Sequence, residues 1–375
     1  MPSLNELLSD RKKVTDIQEL SINDILPGAR ISNAKVKNAE SKTFFISGAG
    51  GSIGAEITRQ LLSSNPRIII LFELSEYNLF NIERECLAIK DSKNLDTEII
   101  PILGDIRDRG NLEHVFQKFS IDQIYHAAAY KHVPIVENEN NISKASENNI
   151  LGTYNLANSA VKHGVHSFVM ISTDKAVRPT NIMGATKRFA EIVIQSINSE
   201  ASNTKFSMVR FGNVINSSGS VIPLFIDQIS RGGPITVTHK DVMRYFMTIP
   251  EASNLVLQAG EMSLGGEVFI LDMGEQIKIF DLARKLIHLS GRNHADGDEV
   301  DGIQIIEVGL RPGEKMFEEL LISGLELKTE NPKIYKATES FIEPKILKPL
   351  LAELKESIAS FDNTKILTLL SQHVE

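Results

Sequence analysis

The stretch that most constrains this 375-residue chain is 43–62. There the apolar run Thr43-Phe44-Phe45-Ile46-Ser47 leads into Gly48-Ala49-Gly50-Gly51-Ser52-Ile53-Gly54 and then into the apolar spacing of an amphipathic helix. A strand that runs through spaced glycines into a helix is the sequence form of a dinucleotide-binding turn. Gly48 lets the chain turn sharply off the strand, Gly51 lets backbone approach a pyrophosphate, and Gly54 lets the helix pack closely. Ser52 and Ile53 open that helix, whose free N–H groups and positive dipole end face the anion. Glu73 ends the next apolar strand, with Ser75 just beyond it. A carboxylate at Glu73 would accept hydrogen bonds from adenosine ribose hydroxyls and repel a 2′-phosphate, which favours NAD over NADP. A solvated surface glutamate is the competing reading.

The alternation of strand and helix continues. Strands are expected at 68–72, 98–103, 123–125, 167–171 and 206–209, each followed by helix-compatible sequence. This pattern predicts an α/β fold, a Rossmann-type doubly wound parallel sheet covered by helices on both faces. Beyond Asn213 the strands shorten and loops become frequent, as in a smaller mixed α/β substrate lobe. The expected divisions are an N-terminal arm or linker over 1–41, an NAD-binding domain over 42–212, and a substrate lobe with C-terminal helices making up most of 213–375.

A formal charge of −8 argues against a nucleic-acid surface, although a local basic pocket for a diphosphate is compatible with it. The single Cys86 excludes an internal disulfide, and nine histidines without a close Cys/His cluster argue against a structural metal. No run approaches the ~18–20 apolar residues of a membrane span, and the first residues lack the apolar core of a signal peptide. A cytoplasmic protein is the expectation.

Several further segments point to chemistry. Gly104-Asp105-Ile106 follows the third strand, and His126-Ala127-Ala128-Ala129 follows the fourth, where small side chains would let a cofactor pass close to the sheet. Asp174 and Lys175 set an acid beside a base after the fifth strand, where open α/β folds place ligands. Neighbours on a regular strand point to opposite faces, so both can serve one site only if the strand has ended by Thr173. Lys187 lies one helical turn beyond Met183 on the same face. The competing readings are a surface ion pair for Asp174-Lys175 and a core methionine for Met183.

Gly-Ala-Gly-Gly-Ser-Ile-Gly at 48–54, His-Ala-Ala-Ala-Tyr-Lys-His-Val-Pro at 126–134, Ser-Thr-Asp-Lys at 172–175, Asn-Ile-Met-Gly-Ala-Thr-Lys at 181–187, Arg-Phe-Gly-Asn-Val at 210–214 and Arg-Pro-Gly-Glu-Lys at 311–315 are together informative. Over 42–321 the chain resembles the nucleotide-sugar 4,6-dehydratases of bacterial polysaccharide biosynthesis, in the extended short-chain dehydrogenase/reductase superfamily. That superfamily normally carries a proton-accepting tyrosine four residues before the active-site lysine. Met183 in its place resembles the large, CapD-like UDP-N-acetylglucosamine 4,6-dehydratases, which are often membrane-anchored through an N-terminal region. The lead-in here resembles their linker, so a naturally soluble relative and a trimmed enzyme from the inner membrane face are both compatible with it.

The resemblance implies oxidation at sugar C4 with NAD, loss of water across C5 and C6, and return of hydride to C6. Asp174 is then the candidate general acid for the C6 hydroxyl and Lys175 the candidate base at C5. Lys187 would hold the nicotinamide ribose. Met183, which has no proton to give, would supply shape, leaving the C4 hydroxyl proton to Asp174, Thr173 or a relayed water. Asp105 and Ile106 would contact adenine, and Ala127 and Ala128 would lie under the cofactor. Lys131, Asn213, Arg244 and Arg311 are candidates for the diphosphate or sugar, Glu314 for the nucleotide ribose, and Tyr130 and His132 for the sugar pocket. Arg244 is the weakest of these, because solvated arginines are the norm. A homo-oligomer with a UDP-sugar substrate is expected. A nucleotide-sugar 4-epimerase or ketoreductase, and a cofactor-binding protein without turnover, are the alternatives.

Overall fold

The computed structural model describes residues 36–201, 203–215, 217, 219–295, 302–319, 326–337 and 339–374. The expected arm lies outside these residues apart from 36–41, where Val36 and Ala39 are buried and the Val36 N–H donates to Ser64 Oγ at 3.2 Å.

The first six strands are β1 (Thr43–Ser47), β2 (Ile68–Glu73), β3 (Glu98–Leu103), β4 (Gln123–His126), β5 (Ser167–Ile171) and β6 (Lys205–Arg210). They run parallel in the order β3-β2-β1-β4-β5-β6. Strands β1 and β4 are buried throughout, which is why they read as unbroken runs rather than as alternations: both faces of the sheet are covered. The helices following the strands are α1 (Ser52–Leu62), α2 (Glu76–Lys93), α3 (Arg109–Lys118), α4 (Thr153–Lys162) and α5 (Ile182–Glu200). Phe45, Phe72 and Phe116 meet at ring-centroid separations of 5.1 and 5.6 Å, and Phe168 meets Phe206 at 5.1 Å. Each such buried ring contributes about 1.5–3 kcal/mol.

Later elements divide between two compact units. The strands are β7 (Asn213–Val214), β8 (Ile235–Val237), β9 (Met243–Arg244), β10 (Phe246–Met247), β11 (Val268–Leu271), β12 (Ile277–Lys278), β13 (Ile305–Glu307), β14 (Leu327–Lys328) and β15 (Ile334–Ala337). The helices are α6 (Val221–Ser230), α7 (Ile249–Met262), α8 (Ile279–Leu289), α9 (Pro344–Ala359) and α10 (Asn363–His373). Strand β11 extends the sheet in parallel beyond β6, and β15 and β14 add an antiparallel edge, making nine strands. The fold is therefore a Rossmann-type doubly wound sheet with a mixed margin.

The segments 252–272 and 319–374 belong to this sheet-bearing unit. In it, Leu347, Leu351 and Leu354 of α9 and Ile366 and Leu370 of α10 pack with Phe189, Ile192 and Val193 of α5. The smaller unit comprises Gly212–Glu251 and Met273–Glu318. It pairs β7 with β10, β8 with β13 and β9 with β12 around a core that includes Ile222, Phe225, Leu282, Leu286 and Ile303.

Within the sheet, strand order reverses between β1 and β4. Connections leave to opposite sides at that point, so a crevice opens outside the carboxyl ends of the strands. Gly48, Ala127 and Thr173 all follow those ends.

Candidate functional site

The glycine turn is built by close approach. Gly48 has φ +66°, and a Cβ there would lie 2.8 Å from the Ala128 nitrogen. A Cβ on Gly54 would lie 2.1 Å from the Gly48 carbonyl oxygen, so α1 sits directly on the turn. At Gly51 the nearest such atom is the same carbonyl oxygen at 3.3 Å, leaving that side of the backbone comparatively open. Gly51 is the N-cap of α1 and offers no side-chain hydrogen bond, whereas Ser75, Asp108 and Asn181 cap α2, α3 and α5 with theirs. A helix start without a side-chain cap leaves its first-turn N–H groups to an anion.

Next to the turn, a cavity of about 170 Å³ brings together Gly48, Gly51, Glu73, Asp105, Ile106, Ala127 and Ala128, joined by Asn78, Tyr130 and Asn148. Glu73 Oε2 accepts from the Gly50 N–H at 2.9 Å and Oε1 from the Ser75 N–H at 3.0 Å. The carboxylate thus braces the glycine turn while facing the cavity. Ser75 itself caps α2, accepting from the Asn78 N–H. Ser52 and Ile53 form the first turn of α1, and Gly54 is buried behind it. Burial would raise the Asp105 carboxyl, but hydrogen bonds from Arg107 at 2.5–3.0 Å hold it below the usual carboxylate range. The cradle that a Cβ would fill, the uncapped helix and the carboxylate at the end of β2 fit a dinucleotide.

Strand β5 ends at Ile171, and Asp174–Ala176 form a 3-10 turn. Because the strand has ended, the two neighbours converge: Lys175 Nζ donates to Asp174 Oδ1 at 3.0 Å, and Thr173 Oγ1 donates to the same oxygen at 2.9 Å. Asp174 is 1% exposed, and its Oδ2 has no hydrogen-bond partner. An unpaired buried acceptor costs about 1–3 kcal/mol, which a hydroxyl brought by a ligand would offset.

Lys187 Nζ donates to the Ile171 carbonyl at 2.7 Å, and burial draws its ammonium down to about 8. Met183 is 3% exposed and packs with Val136 and Ala145, which is a filling role. One residue on, a Cβ at Gly184 would lie 2.2 Å from the Lys175 carbonyl oxygen, so the start of α5 clasps the 3-10 turn.

Three groups that sequence reasoning did not single out hold this site together. His126 is fully buried between Ser47 Oγ (2.7 Å) and Thr153 Oγ1 (2.8 Å). Burial and the Lys187 charge push it down to about 3, so it stays neutral and does no acid–base work near neutral pH. Asn149, in the π-helical turn Glu147–Gly152, accepts from the Tyr130 N–H at 2.8 Å and donates to the Tyr130 carbonyl and Thr186 Oγ1, both at 3.0 Å. Asn148 beside it reaches the cavity. Adjacent asparagines just before the apolar Ile150-Leu151 were the available signal, since π-turns gather at functional positions. Lys131 and His132 lie in the exposed loop after Tyr130.

In the smaller unit Arg244, Arg311 and Glu314 come together. Arg244 is 6% exposed rather than solvated, with Nη2 3.1 Å from Glu314 Oε1 and Nε 3.7 Å from Glu318 Oε1. The competing reading, a solvated surface arginine, does not hold, because these two carboxylates neutralise it away from water. Glu314 also accepts from Thr238 Oγ1 at 2.9 Å and from the Arg311 N–H at 3.2 Å. Asn213 opens the short strand β7.

Among the described residues, no helix is long and apolar enough to cross a membrane, and no cluster of three or more His, Cys, Asp or Glu could hold a metal.

The family model described as polysaccharide biosynthesis protein matches residues 44–339. The chain belongs to this family. It is a CapD-like extended short-chain dehydrogenase/reductase. It is 48% identical over 324 residues to the capsular polysaccharide biosynthesis protein CapD of Staphylococcus aureus, covering 86% of this chain and 52% of that protein. It is 32% identical to a UDP-N-acetylglucosamine 4,6-dehydratase (inverting) of Campylobacter jejuni, covering 75% of this chain and 78% of the relative. UDP-glucose 4-epimerases match at similar identity. Among solved structures, Pen from Bacillus thuringiensis superposes with a TM-score of 0.70 at 33% identity, covering 85% of this chain and 99% of that one. The chain spans about half the length of the CapD protein it matches.

Proposed function

We propose that this chain carries the catalytic site of an NAD-dependent nucleotide-sugar 4,6-dehydratase acting on UDP-N-acetylglucosamine. The observation that carries the reading is Asp174: one carboxylate oxygen committed to Thr173 and Lys175, the other buried and unpartnered, in a chain with Met183 at the position where the resemblance places the tyrosine of an epimerase or ketoreductase. The glycine turn and Glu73 would hold NAD, which when bound supplies a two-way carrier of hydride. Asp174 delivers a proton to the departing C6 hydroxyl, and Lys175 takes the proton at C5 and later returns one. Lys187 supplies positive charge and orients the nicotinamide ribose. In the smaller unit Arg244 and Arg311 are the proposed contacts to the diphosphate or sugar, and Glu314 the proposed acceptor for the nucleotide ribose. Incubation with UDP-N-acetylglucosamine tests the reading by mass: a product lighter by one water supports it, and a product of unchanged mass overturns it.

Cofactor choice follows from Glu73. The carboxylate should repel the adenosine phosphate of NADP, so calorimetric titration of cofactor-free protein should give tighter binding of NAD. Equal or tighter binding of NADP would mean that Glu73 serves only to brace the Gly50 and Ser75 amides.

Lys187 sets a pH limb. Its ammonium is charged below about 8 and is lost as pH rises through that value, so kcat should fall above pH 8. Lys187→Arg, which stays charged, should show no fall there, whatever its absolute rate. A parent profile flat from pH 7 to 9.5 would remove the ammonium from the account.

A further inference from the structure

Behind the proposed acid and base lies a buried ionic network that the mechanism does not use. Glu191 of α5 is fully buried and Arg210, at the end of β6, is 1% exposed. Arg210 Nε lies 2.8 Å from Glu191 Oε1 and Nη2 2.5 Å from Oε2. Arg188 Nη1 stands 3.3 Å from Glu191 Oε2 and 3.0 Å from Glu339 Oε2, and Arg210 also bonds Glu339. Two guanidinium groups therefore face two carboxylates, and charge balances without water. Such a cluster is weak evidence for stability, since its desolvation cost offsets most of the attraction.

Arg188 Nη2 also donates to the Ser340 carbonyl at 2.9 Å, and another bond of the cluster leads to the site. Ser172 Oγ donates to Glu191 Oε1 at 2.6 Å. Ser172 is the residue between the end of β5 and Thr173-Asp174-Lys175, and its N–H is held by the Val209 carbonyl at 2.8 Å. One helical turn before Glu191, Lys187 reaches the neighbouring Ile171 carbonyl. Residues four apart share a helix face, so α5 grips the same strand end twice.

We infer that Ser172 and Glu191 are positioning residues, which lock the strand end carrying Asp174 and Lys175 to the helix carrying Lys187. The inference rests on the dehydratase reading. Lys187 has a second task at the cofactor, whereas the Glu191–Ser172 bond has none, so it is the tie that keeps the acid in register through turnover. Misplacement of a reacting group by ~1 Å costs about 10²-fold.

The test is a double-mutant cycle on the whole chain with Ser172→Ala, which deletes a single hydroxyl and leaves all four ionic side chains in place. Ser172→Ala should lower kcat about 10- to 100-fold, with KM and NAD affinity within about twofold and a thermal midpoint close to the parent's. Combined with Asp174→Asn it should add little further loss, because the serine acts through the aspartate. A Ser172→Ala enzyme with the parent's kcat, or one whose loss multiplies fully with that of Asp174→Asn, would overturn the inference. So would a parallel collapse of kcat, cofactor affinity and thermal midpoint, which marks a merely structural bond. A parent protein that releases no dehydrated product sinks the dehydratase reading instead, and the two failures are told apart in the same experiment.

Discussion

Asp174→Asn is expected to lower turnover about 10²- to 10⁴-fold, the usual cost of losing a positioned acid, while leaving the protein folded. Asparagine keeps an oxygen that accepts from Thr173 and Lys175, so the 3-10 turn retains its hydrogen bonds. It loses the proton that the departing C6 hydroxyl needs. Lys175→Ala should cost a similar factor by a different route: the C5 proton is no longer removed, so exchange of that position with solvent deuterium stops as well. Asp174→Asn should retain the exchange. Met183→Leu, which approximately conserves apolar volume among Val136 and Ala145, should change turnover only a few-fold. Steady-state rates and proton NMR on the three variants separate these outcomes. Near-normal turnover by both Asp174→Asn and Lys175→Ala would remove the motif on which the mechanism stands, and a Met183→Leu enzyme as slow as Asp174→Asn would contradict the packing role.

Gly184→Ala is the second change with a large expected effect. Gly184 lies in the first turn of α5, where alanine is intrinsically the better helix former by about 1 kcal/mol. Its Cβ would nonetheless stand 2.2 Å from the Lys175 carbonyl oxygen and 3.0 Å from its carbon. Both atoms are backbone, so no rotamer change relieves the clash and the turn carrying Asp174 and Lys175 must move. The expected result is a kcat lowered about 10²-fold with the helical circular dichroism signal retained. Parent-like turnover would show that the turn yields without disturbing the two side chains.

Much of the scaffold was legible because it is local. The strand–glycine–helix unit, the strand positions in the sheet unit and the end of β5 before Thr173 depend on neighbours within a few residues, and periodicity reports those directly. Long-range pairing was not legible. The antiparallel edge β14–β15 comes from a segment that reads as part of the smaller lobe, and only its register against β11 makes it part of the sheet. Arg244 was the weakest candidate contact, open to the reading of a solvated arginine, because the carboxylates that bury it are 70 and 74 residues away in the sequence. The ionic cluster behind the site is more extreme, since Arg210 and Glu339 are 129 residues apart. Asn149 and His126 were hidden for a related reason: their partners on Tyr130, Thr186, Ser47 and Thr153 are defined by tertiary packing. Glu73 was read as a cofactor contact from its place at the end of β2, but its bonds to Gly50 and Ser75 are a second role that position alone does not reveal.

The most direct test of the central claim is to run the reaction with UDP-N-acetylglucosamine in deuterium oxide and locate the label by NMR. A 4,6-dehydratase removes the C5 hydrogen as a proton, returns hydride to C6 and takes a solvent proton at C5. The account therefore predicts a 4-keto-6-deoxy product with deuterium at C5, one water lighter apart from that label, and no net consumption of NAD. A sugar product that keeps its C6 hydroxyl and carries no deuterium at C5, or stoichiometric accumulation of NADH, would contradict it.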